Sequence, residues 1–444
     1  SAGAEGVAVQ DVRLYNRVLP PQTVLTMASY ARVKSLASKQ SMSDKEVDEL
    51  YAWWLTNLDT SYRQAFARVT ALEEEEAFIK TRGTTTFVAS EKTSAPEAYV
   101  LQRGEYDRRR EKVTPETPAS LPPMPLKAPK NRLGLAQWLL MPENPLPSRV
   151  TVNRFWQEVF GNGIVKSSGD FGITGELPTH PELLDWLATE FRRNNWDIKA
   201  FFRLILTSAT YRQSSNVTAE KKRVDPANKW LSRAPRFRMD AEAIRDTALS
   251  MSGLLSQKIG GPSVKPYQPD GVWEAVAMPE SNTRNYRRDS GESLYRRSIY
   301  TFWKRAAPPA NMEIFNAPNR ETCVVKRERT NTPLQALVTL NDIQFVEAAR
   351  VTATKLMREV GTTDRRMHRL SMAILSRPWK QSELVVLTSV LDDLKVYYKS
   401  HKAEAEKLIA YGETPAPKDL PAGDLAAWTM LCNQILNLDE VLVK

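Results

Sequence analysis

The stretch TPLQALVTLNDIQFVEAARVTATKLMREV, Thr332–Val360, decides how this chain is read. Its apolar residues recur at the spacing of a helix that faces a core, and Pro333 fits a first turn, where no backbone N–H is needed. It reads as one long helix or two. Downstream, SELVVLTSVLDDLKVYYKS (Ser382–Ser400) and DLAAWTMLCNQILNL (Asp424–Leu438) are helical to the end of the chain. Upstream, NRLGLAQWLL (Asn131–Leu140) and TVNRFWQEVF (Thr151–Phe160) continue the pattern, and Gly161-Asn162-Gly163 closes the second as a helix C-terminus should. SLYRRSIYTFWKR, Ser293–Arg305, is the best strand candidate of this half. The fold class expected is mainly α, with a multi-helix domain over residues 131–444 and a few short strands.

Residues 1–130 are less uniform. VQDVRLYNRVLPPQTV, Val9–Val24, alternates as a strand until Pro20-Pro21 ends the run. One strand is not a domain, so residues 1–25 read as the end of a β-sheet domain. Residues 26–84 read as helical. SDKEVDELYAWWLTNLD starts at Ser43 with Glu46 three residues on, a capping box, and Leu50, Trp53, Trp54 and Leu58 follow at helical spacing. SYRQAFARVTALEEEEAFIKT puts Tyr62, Phe66, Val69 and Leu72 on one stripe and leaves Glu73–Glu76 as a solvated surface. TTTFVAS (Thr84–Ser90) and EAYVLQRGEYDRR (Glu97–Arg109) look like strands, so residues 85–130 read as short strands and a connector. Six prolines between residues 111 and 130 exclude a helix or a central strand there.

The 444 residues suffice for two or three domains, and eleven Trp can anchor a large core. No run of 18 or more apolar residues exists, so no membrane span is expected. The net charge of +10 suits an acidic partner. The arginines come in small groups rather than as a basic tail or an aromatic–basic stripe, which disfavours nucleic acid. There is no C-x-x-C, C-x-x-C-H or H-x-x-x-H, hence no haem-attachment or zinc signature. No G-x-S-x-G, P-loop or Rossmann fingerprint is present. Cys323 and Cys432 stand far apart and give no disulfide framework. NAPNRETCVVKRERTNTPLQAL packs Asn316, Asn319, Arg320, Cys323, Arg327 and Asn331 into a polar loop, in which Cys323 reads as a buried structural thiol.

Chemistry is best sought in SGDFGITGELPTHPELLDWLATEF, Ser168–Phe191. Thr179 with Glu182 three residues on and Pro181 between them makes a capping box with a first-turn proline. Leu183, Leu184, Trp186, Leu187 and Phe191 form the apolar stripe behind it. In NNWDIKAFFRLIL, Asp197 caps and Trp196 staples onto Phe201. Helix entry leaves GDFGITGE unexplained. Gly169, Gly172 and Gly175 permit positive φ and close backbone approach. A carboxylate and a histidine can do general acid–base work, so Asp170, Glu176 and His180, with Asn153 and Arg154, are the candidate catalytic residues. In RFRMDAEAIRD, Asp240 reads as an N-cap and Glu242 as a first-turn acid; with Asp246 they are the candidates for a cation site.

A family resemblance rests on many segments. NRLGLAQWLLMPENPLPSRVTVNRFWQEVFGNGIVKSSGDFG, GELPTHPELLDWLATEF, LILTSATYRQSS, RFRMDAEAIRD, YRRSIYTFWKR, NTPLQALVTLND and LCNQILNLDEVLV together resemble the C-terminal domain of planctomycete cytochrome-c-domain proteins, the planctomycete-specific domain one, whose function is unknown. The resemblance covers about residues 131–444. VLQRGEYDRRREKVTPETPASLPP resembles the stretch that precedes that domain, with Asp107–Arg110 in place of a glycine-containing turn. VQDVRLYNRVLPPQTV is similar to the last strand and exit of a laminin-G/concanavalin-like sandwich. The resemblance implies a residual sandwich strand before the helical domain and an extracytoplasmic setting, periplasmic or cell-surface. It implies no cofactor in this chain, a c-type haem in an N-terminal part or a partner, and partners that are that N-terminal part or other subunits of an exported assembly. It carries no catalytic residues over.

The function expected is that of a structural and interaction module of such an exported protein. The alternative is a polysaccharide-active enzyme or glycan-binding module for acidic polysaccharides, and behind it a general polyanion binder.

Overall fold

The computed structural model describes residues 15, 19, 21–82, 86–92, 94 and 96–443. The strand expected over Val9–Val24 lies outside them except at its end, and from Pro21 the chain is helical. Two compact units are formed, Ser1–Thr114 and Pro115–Lys444.

The first unit holds α1 (Pro21–Ala37), α2 (Asp44–Asn57), α3 (Thr60–Arg82) and an antiparallel hairpin, β1 (Ala98–Leu101) with β2 (Arg109–Val113). α1 packs on α2 and α2 on α3, burying Val33 and Leu36. The Glu46 carboxylate accepts from the Ser43 N–H at 3.1 Å, as the capping box requires. Lys39 beside it, with that backbone bond, holds the Glu46 carboxyl down at about 2. The stripe on α3 is present but uncovered: Tyr62, Phe66, Val69 and Leu72 are 38–55% exposed. Residues 86–90 are not a strand, contrary to the reading of TTTFVAS. β-propensity describes a fit to a paired, half-buried surface, and the Phe87 and Val88 side chains have neither. Of Glu97–Arg109, read as a strand, Ala98–Leu101 is one; the chain then turns with positive φ at Arg103 and Gly104, and Arg109–Val113 pairs back on it. Residues 114–130 contain neither helix nor strand, as their prolines demand.

The second unit runs through α4 (Arg132–Leu139), α5 (Leu146–Phe160), α6 (Pro181–Arg193), α7 (Ile198–Thr207), α8 (Ala209–Arg212), α9 (Ala219–Val224), α10 (Ala241–Ser252), α11 (Ala310–Ile314), α12 (Pro333–Asn341), α13 (Ile343–Arg358), α14 (Thr363–Leu375), α15 (Gln381–Ser400), α16 (Lys402–Ile409), α17 (Ala422–Leu436) and α18 (Asp439–Leu442). Thr332–Val360 is two helices. Asp342 leaves the helical region at ψ 134°, and its carboxylate accepts from the Gln344 N–H at 2.9 Å to start α13.

Three apolar clusters organise the unit. One joins α5, α6 and α7 through Val152, Trp156, Leu184, Leu187, Phe191 and Phe201. A second joins α10, α11 and α13 through Ile244, Met312 and Phe345. The largest surrounds α17, with Ala349, Met367, Leu391, Trp428 and Leu431. α13 also buries a charged pair, Glu347 and Arg350, 3.8 Å apart. Tyr267 and Tyr295 donate to the Glu347 carboxylate at 3.0 and 2.8 Å, and the Thr414 N–H at 2.7 Å. Arg350 turns to the carbonyls of Tyr411 and Thr414. Buried charges persist only with such partners.

Ser293–Arg305 is not a strand. It forms two short 3-10 turns, Gly291–Tyr295 and Ser298–Tyr300, and its backbone pairing among the described residues is limited to isolated bridges, Ser256↔Arg296, Val264↔Thr301 and the local Lys304↔Ala307. Side chains of α10 occupy the backbone groups a ladder would use. The buried Arg245 guanidinium donates to the carbonyls of Leu294 at 2.7 Å and Arg296 at 2.9 Å, and Asp246 accepts from the Ser298 N–H at 2.8 Å.

Candidate functional site

A cleft of about 890 Å³ opens in the second unit where four segments meet: the end of α5 with residues 161–166, residues 176–180 leading into α6, the loop over residues 215–237, and the strap over residues 326–330. Its floor is aromatic, with Trp156, Phe160 and Phe237.

Each wall is fixed locally. Gly161 ends α5 at φ 78°, and a Cβ there would sit 2.6 Å from the Phe237 ring. The buried Asn153 side chain bonds both backbone groups of Val165, donating at 2.9 Å and accepting at 2.8 Å. Asn153 is therefore the pin of the 161–168 turn, away from the cleft lining. Arg154 is exposed on α5 and does not line the cleft either.

The glycine-rich loop holds itself. Ser167 Oγ donates to the Asp170 carbonyl at 2.8 Å and accepts from the Glu176 N–H at 2.8 Å. The Asp170 carboxylate accepts from Thr174 and from the Gly172 N–H, and these two bonds hold it below the usual carboxylate range. None of the three glycines takes positive φ; at Gly175 a Cβ would lie 2.2 Å from the Asp170 carbonyl oxygen, so close approach is the reason there. Of the loop's candidate residues only Glu176 lines the cleft, with His180 beyond it; Asp170 is spent on the loop.

The expected capping box at Thr179 is not formed. The N-cap is His180, one residue later, with Pro181 in the first turn and no side-chain cap bond. Thr179 Oγ1 instead faces the Ile164 carbonyl at 3.3 Å and His180 Nδ1 at 2.9 Å, which ties the entrance of α6 to the end of α5. Trp230 stands edge-on to the His180 ring, 5.6 Å between centroids. At the far end of α6, Asp197 caps α7 through the Ala200 N–H at 2.9 Å, and Trp196 packs against Phe191 in the cluster that contains Phe201.

The 225–233 loop is built on one buried carboxylate. Asp225 accepts from the N–H groups of Lys229 at 2.7 Å, Trp230 at 3.1 Å and Ser232 at 3.4 Å, and Arg233 donates back to the Asp225 and Pro226 carbonyls at 2.8 and 3.0 Å.

Charge is the cleft's main property. Lys166, Lys229, Arg233, Arg236, Lys326, Arg327 and Arg329 line it against Glu176 and Glu328. Four of the cations have carboxylates near: Lys166 with Glu176 at 3.7 Å, Arg236 with Asp439 at 2.6 Å, Arg327 with Glu242 at 2.6 Å, and Arg329 with Asp240 at 3.7 Å. Arg329 also lies over the Phe237 ring at 4.4 Å. Among the described residues Lys326 bonds only a neutral acceptor, Asn162 Oδ1, at 3.0 Å. Burial first, then the like charges of Lys166 and Arg329, push the Lys326 ammonium below its usual range.

The three acids proposed for a cation are not brought together. Asp240 and Glu242 face the strap arginines, while Asp246 accepts from Ser298. Asp240 stands at the N-cap of α10 without a side-chain cap bond, its carboxylate drawn to Arg329 and Arg327. Among the described residues no group of three or more His, Cys, Asp and Glu side chains is placed to share a metal ion. Cys323 is exposed and unpaired, not a buried thiol; the strap that carries it runs over the surface. Cys432 is the buried one, and burial pushes its thiol up to about 12.

Sequence reasoning missed Lys326, Arg329, Lys229 and the Asp225 loop. The basic cluster of Lys326, Arg327 and Arg329 in the polar loop of residues 316–331 is the signal that points to them.

A family model described as PSD1, protein of unknown function (DUF1553), matches residues 131–391, more than half of the chain. No curated protein and no solved structure matches it.

Proposed function

We propose that this chain, which belongs to the PSD1 family of proteins of unknown function, uses its cleft to bind an acidic glycan. One observation supports this above the others. Lys229, Arg233 and Lys326, from two separate segments, line the cleft with no carboxylate within 4.0 Å among the described residues. An excess of cations over carboxylates in one cleft raises the local concentration of an anionic ligand.

Titration with a sulfated or uronic oligosaccharide tests the reading. Affinity should fall with salt at a log–log slope of about 2–3, as expected when two or three cations release counterions. A neutral oligosaccharide of equal length binding as well, or a flat salt dependence, would sink it.

The wider setting follows the resemblance of residues 131–444: an interaction module of an exported, extracytoplasmic assembly, with a c-type haem supplied by an N-terminal part or a partner. The uncovered stripe on α3 supports a further protein contact. A second reading, turnover of the bound polysaccharide, is favoured by Glu176 and His180 lining the same cleft. Alanine at both positions would then abolish turnover of an acidic polysaccharide, and unchanged turnover would remove them.

A further inference from the structure

Beside this cationic cleft stands an apolar feature that a glycan does not need. Ile173 is fully exposed, at 105%, and Leu177 at 88%. Val217 and Trp230 are more than half exposed. Leu177 and Val217 line the cleft, and Trp230 packs on His180, which also lines it, so these side chains mark its mouth. Ile173 stands four residues before Leu177 on the same loop.

A single exposed aliphatic residue is ordinary. Two facts make this group different. The loop is pinned at both ends of its turn, by Ser167 and Asp170 on one side and by the Thr179 N–H on the Ile164 carbonyl at 2.9 Å on the other, so the exposure is held in place. Ile173, Leu177 and Val217 also lack the flat face and the hydrogen-bonding groups that recognise a sugar. Aliphatic side chains beside unpaired lysines match the boundary of a lipid layer with anionic headgroups, where the first enter the acyl boundary and the second meet the headgroup charge.

We propose that the Gly169–Leu177 loop seats this face on an anionic lipid surface, with Ile173 and Leu177 in the interfacial layer and Lys229 and Lys326 against the headgroups. Headgroups and a soluble acidic glycan then compete for the same cations. No helix among the described residues is long and apolar enough to cross a membrane, so the attachment is peripheral. This inference rests on the reading of the cleft as an anion site.

The test uses the whole chain with two probes, a soluble heparin oligosaccharide and vesicles. The vesicles are phosphatidylcholine alone or phosphatidylcholine with phosphatidylglycerol. The expected result is co-sedimentation with the phosphatidylglycerol vesicles, at least tenfold weaker with phosphatidylcholine alone. Ile173→Asp should weaken vesicle binding at least tenfold and leave oligosaccharide binding unchanged, because Ile173 does not line the cleft. Oligosaccharide binding without vesicle binding overturns the lipid inference and leaves the cleft reading standing. Ile173→Asp binding vesicles like the wild type also overturns it. Failure to bind either probe overturns both.

Discussion

α17 and α3 carry the same signal to opposite ends. Both are helices rich in apolar residues. In α17, Leu425, Trp428, Leu431, Cys432 and Ile435 are buried, and so are Thr429 and Asn433 between them. In α3, Tyr62, Phe66, Val69 and Leu72 keep more than a third of their surface exposed. Apolar spacing therefore states that a helix forms and which face seeks a partner, while the partner itself comes from elsewhere in the chain or from another molecule. For α17 that partner is a ring of helices from α13 to α16.

The contrast can be broken by substitution. The largest effect is expected on α13. Glu347→Ala leaves the buried Arg350 without its carboxylate and removes the acceptor of Tyr267, Tyr295 and the Thr414 N–H, so denaturant unfolding should show a loss of about 3–5 kcal/mol. Burial already lowers the Arg350 pKa, which is the same cost seen from the other partner. Leu431→Ala in α17 should cost about 2–5 kcal/mol, since a fully buried side chain leaves a cavity. Leu72→Ala in α3, at 55% exposure, should stay within about 0.5 kcal/mol. Equal losses at Leu431 and Leu72 would mean that the α3 stripe is covered in solution.

A smaller effect concerns pH. Arg377 forks onto Glu383 at 2.9 Å and Glu440 at 2.7 Å. Arg377 first, then the Lys380 N–H, lowers the Glu383 carboxyl from 4.5 to about 2. The folded carboxyl holds its proton less tightly than the unfolded one, so unfolding takes up protons and stability rises with pH through this window. The contribution is complete above about 4.5 and lost as pH falls toward about 2. Arg377→Ala should flatten that part of the stability–pH curve, and a slope as steep as that of the wild type would contradict the assignment.

How much was legible follows the same division. Helices with an apolar stripe or a clear cap were readable: Ser43 with Glu46, Asp197, and the Gly161 stop all stand where the residues put them. Thr332–Val360 was readable as helix, although its break at Asp342 was not, because an N-cap inside an apolar run competes with continuation. Ser293–Arg305 failed because Arg245 and Asp246, about fifty residues away, claim its backbone groups. The cleft was half legible. Glu176 and His180 were named from one segment. The cations that surround them come from residues 166, 229–233 and 326–329, distant segments that only the fold brings to one place. Asn153 and Asp170 were read as chemistry and serve as pins: Asp170 meets the backbone of its own turn at Gly172, and Asn153 reaches from α5 to both backbone groups of Val165.

The most direct test of the anion cleft is calorimetric titration of a sulfated oligosaccharide into the wild type and into Lys229→Ala/Lys326→Ala, with thermal unfolding of both. The cleft as described predicts at least a tenfold loss of affinity, about 1.4 kcal/mol or more, with an unchanged Tm, because neither side chain is paired to a carboxylate among the described residues. Equal affinity in the two proteins would contradict it.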